Sequence, residues 1–292
     1  MGPLLNAVLF AILVTLGYVS RRTRLERLLV EPSVKLLLYI IVPLSIARAY
    51  ALHGIEAFTS YSLIALVAFA ASTPYAMIAS RRLCGWNAKC KTVVMLTLLF
   101  PNSVFLPLSL APPLGLDIDV ISSYALPLIL LHFTLGYRLG GEKSRRDVPL
   151  LVVTAAATGL ALSISSLTPL LEPLWHAAGL LGRLSGYASM LVVGASLPEL
   201  RATHLRDPLL YFIALWRGVA SPILHYSLAM VAGVTGAALK TLMVEAVMAP
   251  ATMNAVIARH LGVDHERVAT TILVLTPLAA LEALLLTLLL NP

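Results

Sequence analysis

Apolar residues in this chain do not alternate with polar ones at the period of a strand or collect on one helical face; they run nearly unbroken for about 20 residues at a time. Ten such stretches can be marked: Pro3 to Ser20, Val34 to Leu52, Ala57 to Ser80, Thr92 to Pro112, Ile118 to Leu139, Val148 to Leu170, Trp175 to Leu197, Pro208 to Gly233, Thr241 to Leu261 and Val268 to Leu290. A helix of about 20 residues, rising 1.5 Å per residue, matches the hydrocarbon thickness of a bilayer. Helices that are apolar all round face lipid or other helices. The pattern therefore predicts ten membrane spans, numbered one to ten in chain order.

Composition turns that pattern into an exclusion. The chain has 292 residues, 59% hydrophobic and only 12% charged, against roughly 25% charged in an ordinary soluble domain. A water-soluble monomer is excluded, and ten spans with their connections leave no room for a separate soluble domain. The net charge of +7 raises the alternative of a nucleic-acid partner, so the placement of the charges decides. Arg21, Arg22, Arg24, Arg27 and Lys35 follow span one, and Arg81, Arg82, Lys89 and Lys91 follow span three. Arg138, Lys143, Arg145 and Arg146 lie around the break after span five, Arg201 and Arg206 after span seven, Arg259 and Arg267 after span nine. Seventeen of the 21 Lys and Arg thus border the odd-numbered connections, while the alternate loops carry Glu56, Asp117, Asp119 and Glu172. The positive-inside rule puts the odd connections in the cytoplasm and both termini outside a multi-pass protein of the cell membrane. No nucleic acid is needed to explain the charge. The first stretch has no basic region before it, so it reads as a retained span and not a cleaved signal peptide.

Two sets of five spans begin on opposite sides of the membrane, so if the halves are copies they are inverted copies. Leu114-Gly115-Leu116-Asp117 after span four matches Leu261-Gly262-Val263-Asp264 after span nine, and Pro101 matches Pro250, at offsets of 147 and 149 residues. The expected fold is an all-α integral membrane protein of ten transmembrane helices in two inverted five-helix repeats, residues 1–143 and 144–292.

Spans four and nine depart from plain hydrophobic helix. Pro101 is followed by Asn102 and Ser103, and Pro250 by Ala251, Thr252, Met253 and Asn254. A proline removes one N–H and collides with the carbonyl four residues back, freeing backbone groups that hydrocarbon cannot satisfy. Paired broken helices in inverted halves point to a transporter's substrate site, whose half-helix N-termini attract an anion. Asn102, Ser103, Thr252 and Asn254 are the candidate substrate-binding residues. Pro43, Pro127, Pro222 and Pro277 lack such polar followers and read as kinks.

These residues resemble a family. Leu38-Tyr39-Ile40-Ile41-Val42-Pro43, Phe100-Pro101-Asn102-Ser103-Val104-Phe105-Leu106-Pro107, Val193-Gly194-Ala195-Ser196-Leu197 and the stretch from Ala246 to Thr276 look like the auxin efflux carrier family, within the bile-acid and auxin carrier superfamily. That family holds plant auxin exporters and short-loop prokaryotic carriers. The resemblance implies a scaffold domain of spans one, two, six and seven, a transport domain of spans three to five and eight to ten, and elevator-type export of organic anions. It puts the crossing of helices four and nine at Pro101 and Pro250, with Asn102, Ser103 and Asn254 beside it. The chain departs from the family in its short middle loop, Gly140 to Asp147, and in Glu245, where a neutral amide or small residue is expected.

Ionisable residues inside spans are costly and point to function by default. Glu245 lies five residues before Pro250, placed to carry a proton or cation, to pair with Arg48, Arg183 or Arg217, or to lie exposed near the outer surface. Arg217 either balances Glu245, binds an anion or snorkels to the surface; Arg183 snorkels outward. Glu282 has only apolar sequence neighbours. His132 and His225 read as hydrogen-bonded helix-packing histidines, with a proton relay as the alternative. Gly182 and Gly186 permit close helix contact, within the chain or in a homodimer. Cys84 and Cys90 share a predicted cytoplasmic loop, where free thiols are the default and a disulfide is the alternative. No metal-binding spacing, Walker loop or hydrolase elbow is present, so no enzyme and no metal or organic cofactor are expected. The reading is a secondary carrier or uniporter exporting a small carboxylate, auxin-like or other, with H⁺ or Na⁺ coupling open. The alternatives are a Na⁺-coupled bile-acid-type symporter or a cation/proton antiporter on the same crossover fold, and a channel, receptor or membrane enzyme.

Overall fold

A computed structural model describes residues 3–20, 23–24, 28, 30–141, 147–165, 167–196 and 206–290. Arg21, Arg22, Arg27, Lys143, Arg145, Arg146, Leu197 and Arg201, and the 143/144 boundary between the halves, lie outside them. Among the described residues the chain is helical throughout and has no β-strand. The helices are α1 (Pro3–Ser20), α2 (Pro32–His53), α3 (Ile55–Cys84), α4 (Ala88–Leu99), α5 (Phe105–Leu114), α6 (Ile118–Gly136), α7 (Asp147–Ile164), α8 (Glu172–Ser196), α9 (residues 208–231), α10 (Gly236–Ala246), α11 (Met253–His260) and α12 (His265–Leu290). Six of them, α2, α3, α6, α7, α8 and α12, are long and apolar enough to cross a membrane. The architecture is that of an all-α membrane protein. Leu150 and Ile164 on α7, and Tyr211, Leu215, Val219 and Ile223 on α9, turn outward, an apolar surface that water would penalise and lipid accepts.

Among the described residues, wide π-helical turns interrupt Leu37–Ile41 in α2, Phe58–Ser62 in α3, His132–Gly136 in α6 and Trp216–Ala220 in α9. Two of these have an evident cause. The residue four before Pro43 is Tyr39, and four before Pro222 is Gly218, so each proline ring meets a widened turn where its clash with the preceding carbonyl would fall. The expected kinks at Pro43 and Pro222 are therefore local π turns within continuous helices.

Glycines set the closest helix crossings. A Cβ on Gly17 of α1 would overlap the Leu191 carbonyl of α8, and one on Gly194 of α8 would overlap the Val14 carbonyl of α1. In the same way a Cβ on Gly159 of α7 would overlap the Ala47 carbonyl of α2. Gly182 faces Ser45 and Ile118, and Gly186 meets the Leu108 carbonyl and Pro112, so this pair packs helices of one chain together.

The two Leu-Gly-x-Asp motifs do the same local work. Gly115 and Gly262 both have φ 62, a left-handed turn that glycine adopts without a Cβ penalty. Leu116 N–H then returns to the Ala111 carbonyl at 3.1 Å, and Val263 N–H to Ala258 at 3.0 Å. Asp117 accepts from the Asp119 amide at 2.9 Å, and Asp264 from the Arg267 amide at 3.0 Å, opening α6 and α12.

Candidate functional site

The chain breaks between α4 and α5 and again between α10 and α11, and the two breaks meet. Pro101 and Pro250 form an antiparallel bridge. Asn102 N–H donates to the Ala249 carbonyl at 2.8 Å, and Ala251 N–H to the Phe100 carbonyl at 2.9 Å. Each break thus supplies partners for backbone groups that the other break leaves outside a helix, as apolar surroundings require.

The neighbouring helix ends are closed by side chains. Asn254 Nδ2 donates to the carbonyls of Leu96 and Phe100, at 3.0 Å each. Arg217 Nη2 donates to the Leu98 carbonyl at 2.9 Å, and Ser221 Oγ to the Ala246 carbonyl at 2.8 Å. Asn102 Oδ1 accepts from Leu106 N–H at 3.1 Å, capping α5. Three of the sequence candidates, Asn102, Ser103 and Thr252, line a cavity of about 40 Å³ at the crossing, together with His132. That volume admits a few waters. The first turns of α5 and α11 both leave the crossing, so the positive ends of their dipoles lie toward it; Leu106 N–H is taken by Asn102, and Asn254 and Ala255 N–H by the Ala251 and Thr252 carbonyls. Asn254 does not line the cavity; it is fully buried behind it, with Oδ1 unpartnered.

His132, read from the sequence as a packing residue, is in part just that: its ring stacks on Phe100 with centroids 4.6 Å apart and planes 10° apart. It also faces the cavity, and its Nε2 is buried with no hydrogen-bond partner. The signal for it in the sequence was a single mid-span histidine, which looks the same as a packing histidine when its neighbours in space are unknown.

Glu245 and Arg217 stand apart from this cavity. Glu245 is fully buried and both carboxyl oxygens are unpartnered. Arg217 is buried too and acts on Glu245 electrostatically without forming an ion pair within 4.0 Å among the described residues. Snorkelling is thereby corrected: the guanidinium is held inward by the Leu98 carbonyl. Arg48 does not reach Glu245 either, because Nη1 is paired with Asp119 and Nε donates to the Trp175 carbonyl at 3.0 Å. Arg183 is exposed and lines a groove of about 500 Å³ with Pro112 and Tyr187. Glu282 gains a neighbour that the sequence did not reveal: it lies against Gly218, whose added Cβ would be 2.9 Å from Oε1. His225 is a packing residue within a polar chain. Its Nδ1 lies 2.8 Å from the Ser221 carbonyl, which can only accept, so Nε2 accepts from Tyr124 O–H at 2.8 Å.

Cys84 and Cys90 form a disulfide, contrary to the free-thiol default, across a separation of 6 residues. Gly85 at φ 55 turns the chain out of α3, and Asn87 caps α4 by accepting from Cys90 N–H at 3.0 Å, leaving the two Cα atoms 5.5 Å apart.

No protein-family model matches the chain, and no curated protein matches it.

Proposed function

We propose that this chain is a secondary carrier or uniporter of the auxin-efflux type that exports a small organic anion across the cell membrane. The observation that carries the reading is the bridge between Pro101 and Pro250, with two half-helix N-termini and the polar side chains of Asn102, Ser103 and Thr252 gathered at one cavity. Such a site attracts negative charge through the positive ends of two helix dipoles and offers a carboxylate polar side chains to bind. The sequence resemblance described above points the same way.

In this reading the helices make ten spans in two inverted five-helix repeats, residues 1–143 and 144–292. α4 with α5 is span four, and α10 with α11 is span nine. The glycine crossings support it: pairing span one with six and two with seven exchanges the contact of Gly17 with Leu191 for that of Gly159 with Ala47. The equivalent capping roles of Gly115–Asp117 and Gly262–Asp264 support it as well. Spans one, two, six and seven form the scaffold, and the remaining spans carry the crossing past it as an elevator. Both termini are extracytoplasmic and the odd connections cytoplasmic.

Glu245 favours a second reading, a Na⁺-coupled bile-acid-type symporter or cation/proton antiporter on the same crossing, because a buried carboxyl group with neither oxygen partnered calls for a proton or a cation. A thermal-shift screen of small carboxylates, with and without Na⁺ and across pH, separates the readings, since a ligand that binds only the folded state raises its apparent stability. Stabilisation by carboxylates alone is expected of the exporter. Stabilisation that requires Na⁺, and is lost in Glu245→Gln, belongs to the symporter.

A further inference from the structure

An anion entering the crossing needs compensating charge, because an isolated charge in a low-dielectric interior is costly. Among the described residues no Lys or Arg lines the cavity, and His132 is its only ionisable side chain. Arg217 is committed to the Leu98 carbonyl and is not among the lining residues. His132 sits in the π-helical turn His132–Gly136, is held in place by its stack on Phe100, and keeps a buried Nε2 with no hydrogen-bond partner. Its other neighbours are few. The residue that ends α4, Phe100, faces it, as do Asn254 of α11 and Phe133 and Gly136 of its own helix. Of these only the Asn254 side chain offers the ring a hydrogen-bonding group, and no charged side chain of the described residues acts on it. Tyr137, just past the end of α6, packs edge-on against His260 with ring centroids 5.9 Å apart.

Resting on the anion-carrier reading above, we infer that His132 is the substrate-contacting residue that supplies the counter-charge: a small carboxylate binds at the crossing together with one proton, held on the His132 ring. The imidazolium donates to the carboxylate, the positive ends of the α5 and α11 dipoles lie toward it, and the bound pair is neutral. Carboxylate affinity then falls as pH rises through the titration of the ring, since proton and anion are taken up together. An uncharged polar ligand of the same size shows no such dependence.

The test is calorimetric binding of acetate, pyruvate and lactate to the purified full-length protein, in buffers of different ionisation enthalpy and over a range of pH. The wild type is expected to take up close to one proton per carboxylate. His132→Phe keeps the aromatic stack and removes the nitrogens, and is expected to weaken binding about tenfold or more and to abolish proton uptake. His132→Gln, a second variant with a polar but non-titrating side chain, is expected to recover part of the affinity with no proton uptake. Carboxylate binding without proton uptake in the wild type, or uptake unchanged in either variant, overturns the inference alone. A wild type that binds none of the carboxylates overturns the carrier reading and this inference with it.

Discussion

Arg217 donates to the carbonyl of Leu98 at 2.9 Å, so a guanidinium from α9 closes the open end of α4 just before the crossing. The last turn of a helix carries unpaired carbonyls and partial negative charge, and here a buried cation meets both. Removing it exposes a buried carbonyl to nothing and leaves Glu245 without its electrostatic partner. Arg217→Ala is expected to lower stability by about 2–4 kcal/mol, and Arg217→Lys by less, read as thermal unfolding in detergent. Equal unfolding temperatures for wild type and Arg217→Ala would deny the arginine this role.

Asn254 and Asn102 have different work and should fail differently. Asn254 braces the crossing through two carbonyls from behind the cavity, whereas Asn102 caps α5 and lines the cavity. Asn254→Ala is expected to cost about 2 kcal/mol of stability as well as flux, because two buried acceptors lose their donor. Asn102→Ala is expected to impair flux with a smaller stability loss, about 1 kcal/mol for a lost cap. Paired measurements of unfolding temperature and carboxylate flux check the distinction; full flux in both variants would move the site elsewhere.

Gly17 and Gly159 each leave room for a carbonyl of the neighbouring helix. A methyl group at either position meets backbone, which cannot step aside as a side chain can. Gly159→Ala and Gly17→Ala are each expected to destabilise by about 1–3 kcal/mol. At Gly179 the nearest atoms belong to the Arg48 side chain, at 3.3 Å and beyond, so Gly179→Ala is expected to cost less than either. The order of the three unfolding temperatures is the test.

The Cys84–Cys90 disulfide closes a ring of only a few residues, well removed from the crossing along α4. Loop-closure entropy for so short a ring amounts to about 2 kcal/mol. Replacing both cysteines by serine is expected to lower the unfolding temperature modestly and leave carboxylate affinity unchanged. A change in affinity would tie the disulfide to the site.

Much of this was legible in the residues. The apolar runs mark the helices closely; α2, α3 and α12 extend only a few residues beyond the stretches predicted from hydrophobicity. Pro101 and Pro250 announced the two breaks because proline's effect on a helix is local and needs no partner to be read. What stayed hidden was pairing across the chain. That Arg48 turns to Asp119, that Arg217 turns to Leu98 and not outward, and that Asn254 stands behind the cavity while His132 faces it all depend on which helices become neighbours. The Cys84–Cys90 bond was hidden for a different reason: the sequence offered only a compartment rule, while the turn at Gly85 and the Asn87 cap brought the two residues together.

On the function proposed above, the Pro101–Pro250 crossing binds a small carboxylate and carries it across the membrane. The most direct measurement is uptake of labelled acetate, pyruvate and lactate into liposomes holding the purified protein, under imposed carboxylate, pH and Na⁺ gradients, with Asn102→Ala and His132→Phe in parallel. Saturable carboxylate flux is expected in the wild type, with a marked loss in both variants at equal insertion. Absence of flux for every carboxylate under every gradient, or flux untouched by both substitutions, would contradict it.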